Sequence, residues 1–90
     1  MKIRNLIWDE WNLEHALRHG VSQDEVEEVC SSKHFVIKSG KDKMAVWGQT
    51  DDGRYLLVIL GVRDYGDYYP VSARDMDDKE KRNYKKWIKR

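Results

Sequence analysis

His15 and His19 stand four residues apart in a stretch with helical character, and imidazoles are the side chains whose charge changes near neutral pH. On a helix such a pair shares a face, so the two rings are candidates for general base and general acid, or for two ligands of a zinc ion. The metal use fits less well, because no Glu follows His15 to complete a zincin pattern and His34 is the only other imidazole. No metal and no cofactor is expected. Arg63 and Arg74 each end a predicted strand, and a guanidinium presents a planar fork of donors suited to phosphate oxygens. Arg74 also precedes a predicted helix N-terminus, where free amides favour an anion. Arg63 joins it if the two strands pair antiparallel. Bland alternatives stand beside these uses: His19, directly before Gly20, is placed to cap helix carbonyls, and Arg74 has Asp9, Asp75 and Asp77 as ion-pair partners. Cys30 lies on an apolar helix stripe with no basic neighbour to lower its pKa, so it reads as a buried small hydrophobe rather than a nucleophile.

The elements that must position these groups are legible from caps and periodicity. Ile3 to Trp8 reads as a short first strand or extended lead-in. Asp9 then caps a helix running to about His19, with Gly20 as its stop, Trp8 and Leu13 as a hydrophobic staple, and Leu13, Ala16 and Leu17 as its apolar stripe. Ser22 and Glu25 form a capping box for a second helix from Gln23 to about Cys30. Strands follow at Phe35 to Lys38, Met44 to Gln49, Tyr55 to Val62 and Asp67 to Ala73, with turns at Ser39 to Asp42, Asp51 to Gly53 and Asp64 to Gly66. Tyr55 to Val62 is almost continuously apolar, as expected of a central strand covered on both faces. Pro70 lacks a ladder donor and suggests an edge or a bulge. Strict alternation puts Arg74 on one face with Tyr68 and Ser72, and Tyr69, Val71 and Ala73 on the other. Asp77 and Glu80 make a further capping box for a basic C-terminal helix with Tyr84, Trp87 and Ile88 on one face. The order is β-α-α-β-β-β-β-α, an α+β fold with a mainly antiparallel sheet.

Ninety residues, 40% of them hydrophobic, with four Trp and five Tyr, suffice for one compact domain over residues 1–90 with one core. Trp8, Trp11 and Trp47 read as packing residues. The single cysteine and the absence of a long apolar segment suggest a cytoplasmic chain without a membrane span. The net charge of +1 hides an asymmetry: residues 79–90 carry seven Lys/Arg against Glu80 alone, while residues 1–78 carry ten against fifteen acids. That basic segment suits a polyanion or an acidic partner, or is simply a solvated helix face.

Three segments together resemble the BrnT-type toxin family: Trp8-Asp9-Glu10 through Asn12 and His15 to Arg18-His19-Gly20-Val21-Ser22; Glu25 to Val29; and Val71-Ser72-Ala73-Arg74-Asp75-Met76 before Glu80 and Tyr84. Members of that family are similar in fold to RelE-like toxins and act as metal-independent endoribonucleases that arrest translation. They are neutralised by a BrnA-type antitoxin that often binds operator DNA. The resemblance implies RNA as substrate, an antitoxin as partner, and contact with DNA only through that partner. Metal-free RNA cleavage needs a base for the 2′-hydroxyl, an acid for the departing 5′-oxygen and cations against the charge on the phosphoryl oxygens. His15 and His19 are the acid/base candidates for this reaction, and Arg63 and Arg74 the phosphate clamps. Lys81, Arg82, Lys85 and Lys86 are candidate RNA contacts, with Tyr84 either stacking on a base or lying in the core. A non-catalytic module that binds RNA or protein, or a degenerate relative kept as an antitoxin partner, are the rival expectations. Catalysis requires His15 or His19 to converge with the Arg74 cluster in one cleft.

Overall fold

A computed structural model describes residues 3, 5–63 and 66–89 of the chain. Its elements follow the expected order: β1 (Asn5–Leu6), α1 (Glu10–His15), α2 (Gln23–Ser31), β2 (His34–Lys38), β3 (Lys43–Gln49), β4 (Tyr55–Val62), β5 (Asp67–Asp75) and α3 (Asp78–Ile88). The strands form one sheet in the order β1-β5-β4-β3-β2, antiparallel except where β1 runs parallel to β5. The fold is therefore α+β, and the apolar β4 occupies the centre of the sheet. The first strand is shorter than its expected span, and the turn expected over 64–66 falls in part on Asp64 and Tyr65, which lie outside the described residues.

Alternation along β4 divides the molecule into two layers. Leu56, Val58 and Leu60 face α2, where Val26, Val29 and Cys30 join Val46 and Ala73 in the core. Gly48 makes this contact possible, since a Cβ there would come within 2.9 Å of a Val29 methyl. On the opposite face Tyr55 meets Tyr84 of α3, while Phe35 and Trp47 meet Trp87 at centroid distances of 4.9 and 5.6 Å. Helix α3 thus covers the β2 to β4 half of that face.

All three helices open with complete capping boxes, at Asp9 with Asn12, Ser22 with Glu25 and Asp77 with Glu80. Arg54, at the entrance to β4, fastens the α2 side of the structure. Its guanidinium donates to both carboxylate oxygens of Asp75 at 2.8 and 3.0 Å, to Glu25 at 2.9 Å and to the Gly20 carbonyl at 2.8 Å. Gly20 makes its turn at φ +80, a left-handed conformation that suits glycine.

Two expectations are corrected. Helix α1 ends at His15, not near His19, because Ala16 is fully buried and Leu17 packs on the core, so the chain turns inward through residues 16–20. Burial outweighs helical propensity over so short a segment. Leu13 is 40% exposed, which removes it from the expected staple and apolar stripe, and Asn12 and Ala16 form the buried side of the helix instead. The second correction concerns β5. Ser72 pairs with Ile59 but Pro70 with Leu60, so Val71 is an extra residue, a bulge. Strict alternation fails across it: Tyr69 joins Ser72 and Arg74 on the α3 face, and Tyr68 packs against the α2-side core.

Candidate functional site

The bulge, the first helix cap and the end of β4 together build one cluster on the part of the sheet face that α3 leaves uncovered. Tyr69 is at its centre. Its hydroxyl lies 2.8 Å from each carboxylate oxygen of Asp9, and Asp9 is fixed because its carboxylate also accepts the Asn12 amide as the α1 cap. The Arg63 guanidinium lies over the Tyr69 ring at 4.8 Å. Space for it comes from Gly61, where a Cβ would stand 3.2 Å from an Arg63 nitrogen. Among the described residues no carboxylate lies within ion-pair distance of Arg63. On the other side of Tyr69 the Trp11 ring is 6.3 Å away, and His15 stacks on Trp11 at 4.3 Å, the planes only 13° apart. His15 and Arg63 are thereby joined through two aromatic rings.

The protonation states follow from the contacts. Hydrogen bonds from the Asn12 amide and then from the Tyr69 hydroxyl hold the Asp9 carboxyl below the usual carboxylate range. Tyr69 is pushed above the usual phenol range, by removal from water and then by its bond to the Asp9 carboxylate. At neutral pH the pair is carboxylate and phenol, so Tyr69 is a donor and not a base. His15 Nδ1 is 2.7 Å from the Trp11 carbonyl oxygen. A carbonyl only accepts, so Nδ1 carries hydrogen and, in the neutral ring, Nε2 keeps the lone pair. The cluster therefore offers a proton acceptor, a cation free of carboxylate pairing among the described residues, and an aromatic floor between them.

The remaining expected site residues are placed elsewhere. His19 is exposed in the turn after α1 and makes no hydrogen bond or ion pair among the described residues, so it neither caps α1 nor shares a helical face with His15. Arg74 does not converge with a histidine. It donates to both oxygens of Glu80 at 2.7 and 2.9 Å and to the Asp75 carbonyl, while the α3 N-terminus beside it is already capped by Asp77. An incoming phosphate there meets two fixed carboxylates. Arg63 and Arg74 lie toward opposite ends of the β4–β5 pair, one beyond Val62 and the other opposite Leu57. Tyr84 is corrected to the core: it is 5% exposed and packed edge-on against Tyr55, leaving no face for a base. Lys81 and Lys85 lie over the Tyr55 ring, and Arg82 and Lys86 are exposed on α3. Cys30 is buried, which pushes its thiol up to about 12. Among the described residues no group of three or more His, Cys, Asp or Glu side chains is placed to hold a metal ion, and no helix is long and apolar enough to cross a membrane.

Sequence reasoning missed Asp9, Trp11 and Tyr69 as site residues. Gly61 was the available signal, since a glycine two residues before an arginine in an otherwise bulky strand marks a close approach.

No family model matches the chain, and no curated protein matches its sequence. Among solved structures, the Brucella abortus ribonuclease toxin BrnT is similar in fold, with a TM-score of 0.67 at 18% identity, covering 82% of this chain and 97% of that one. The five-stranded sheet and its helices thus share their fold with that structure.

Proposed function

We propose that the chain is a toxin-like, metal-independent endoribonuclease whose reacting groups are His15 and Arg63, held in place by Trp11, Tyr69 and Asp9. The observation that carries this reading is the row His15, Trp11, Tyr69, Arg63 on the uncovered sheet face; the likeness in fold to a ribonuclease toxin supports it. His15 Nε2 takes the proton of a ribose 2′-hydroxyl. The 2′-oxygen attacks the adjacent phosphorus, the bond to the 5′-oxygen breaks, and that oxygen leaves with a proton from the imidazolium or from water, giving a 2′,3′-cyclic phosphate and a 5′-hydroxyl. Arg63 stabilises the charge that builds on the phosphoryl oxygens. The basic face of α3, with Lys81, Arg82, Lys85 and Lys86, serves flanking phosphates. A BrnA-type antitoxin is the corresponding protein partner.

The test is cleavage of total RNA by the purified chain with EDTA present. Cleavage is expected to survive chelation, and His15→Ala is expected to slow it on the order of a hundred- to ten-thousandfold with the fold intact by circular dichroism. Absence of cleavage, or a His15→Ala variant as fast as the parent, overturns the reading in favour of a module that only binds.

A further inference from the structure

Trp11 is the most exposed of the large apolar side chains in the described structure, at 50%, although it sits beside the reacting groups. It does not dangle. Its ring is stacked against His15, whose Nδ1 is tied to Trp11's own carbonyl at 2.7 Å, and the Tyr69 ring borders it at 6.3 Å. A half-bare indole has a large apolar surface that no described residue covers, and its ring is held by its neighbours before any ligand arrives, so stacking on it requires little further ordering. We infer that Trp11 is a nucleobase platform that seats the nucleoside immediately 5′ to the cleaved bond. This rests on the ribonuclease reading and deepens it. The side is set by chemistry: the nucleoside that supplies the attacking 2′-hydroxyl must lie next to the base that deprotonates it, and His15 is in ring contact with Trp11. Its 3′-phosphate then lies toward Arg63, across Tyr69. No edge hydrogen bonds are needed, so discrimination comes from stacking area, and a purine is favoured over a pyrimidine at that position.

Two measurements decide this. In the full chain labelled with ¹⁵N at the tryptophan indoles, the Trp11 resonance, identified by its loss in Trp11→Phe, is followed during titration with adenosine 3′-monophosphate and cytidine 3′-monophosphate. A saturable shift at Trp11 is expected, tighter for the adenine compound, with the Trp47 and Trp87 signals unmoved. In the cleavage assay, Trp11→Ala is expected to lower kcat/KM about ten- to a hundredfold and to erase the purine preference, while Trp11→Phe keeps most of both. A purely structural role lowers cleavage of all sequences equally and leaves the preference in place, which overturns the proposal. An unmoved Trp11 signal also overturns it. The two readings fail separately: RNA cleavage with no nucleotide response at Trp11 sinks the platform alone, and nucleotide binding at Trp11 without cleavage sinks the nuclease alone.

Discussion

Arg54 and Arg63 stand at opposite ends of the same central strand and do opposite things with the same side chain. Arg54 spends its donors inside the molecule, on Asp75, Glu25 and the Gly20 carbonyl. Arg63 lies over the Tyr69 ring, and among the described residues its charge is shared with no carboxylate at ion-pair distance. Arg74 belongs with Arg54, because Glu80 occupies its fork. The difference teaches that arginines of one small sheet separate, by what they face across the fold, into fasteners and cations without a carboxylate partner among the described residues, and the latter kind stands at the proposed site.

The largest expected effect breaks the comparison at its free end. Removing one cation from a phosphoryl transition state costs about 3 to 4 kcal/mol, so Arg63→Ala should cleave RNA roughly a hundred- to a thousandfold more slowly while its melting temperature stays within a few degrees of the parent's. Arg63→Lys should recover only part of the rate, since an ammonium lacks the planar fork. A parental rate for Arg63→Ala removes Arg63 from the site.

The fastened end should behave in reverse. Arg54→Ala leaves Asp75 and Glu25 without their shared partner, and the lost charge-assisted bonds, discounted for partial exposure, amount to about 2 to 3 kcal/mol. In a domain of this size that lowers the melting temperature by roughly 10 °C or more. Below its new transition the variant should still cleave RNA. If it is as stable as the parent, the comparison collapses. Arg74→Ala is expected to lose only about 1 kcal/mol of stability, because Arg74 ties to a single carboxylate and its own side chain is more exposed than that of Arg54. Its cleavage rate should fall by less than tenfold on a short substrate. A loss as deep as that of Arg63→Ala would restore Arg74 as a clamp on the scissile phosphate.

Acid gives the gentlest test. The Arg54 guanidinium holds the Asp75 carboxyl low, and hydrogen bonding within the Ser22 cap, followed by Arg54, does the same for Glu25. A carboxyl whose folded pKa is depressed adds stability that is complete above its unfolded value, about 4, and is lost as pH falls through the lower folded value. The parent should therefore lose stability on acidification below about pH 4, and Arg54→Gln should show a shallower fall in chemical denaturation across pH 2 to 5. Tyr69→Phe removes a smaller cause from Asp9 and should flatten the curve less. Equal slopes in all three proteins would mean that the contacts do not set the acid limit.

Local chemistry explains what was legible in the sequence. The Ser22–Glu25 and Asp77–Glu80 boxes announced α2 and α3 because a cap depends on residues three apart. The run from Tyr55 to Val62 announced the central strand because it must be dry on both faces. His15 and Arg63 were found as residue types. Their assembly was hidden, since it depends on α1 stopping four residues before His19 and on a register shift opposite Ile59 and Leu60, both set by tertiary packing. Pro70 hinted at the shift without locating it. Trp11 was misassigned to the core because composition does not reveal which tryptophan is left uncovered.

The bulge at Val71 makes β5 a segment that keeps count. Elsewhere on the surface a loop can shift its pairing and let its neighbours absorb the change, but here register is the message. Drawing Val71 into the ladder, so that every residue of β5 paired in an unbroken two-residue rhythm, would turn Tyr69 toward the hydrophobic interior and bring Tyr68 out in its place, beyond the reach of Asp9 and Arg63. The strand would still pair and the domain would still fold, with the floor of its site on the wrong side. A sequence can therefore drift widely around this strand while a slip of one in its register separates the scaffold from the proposed site.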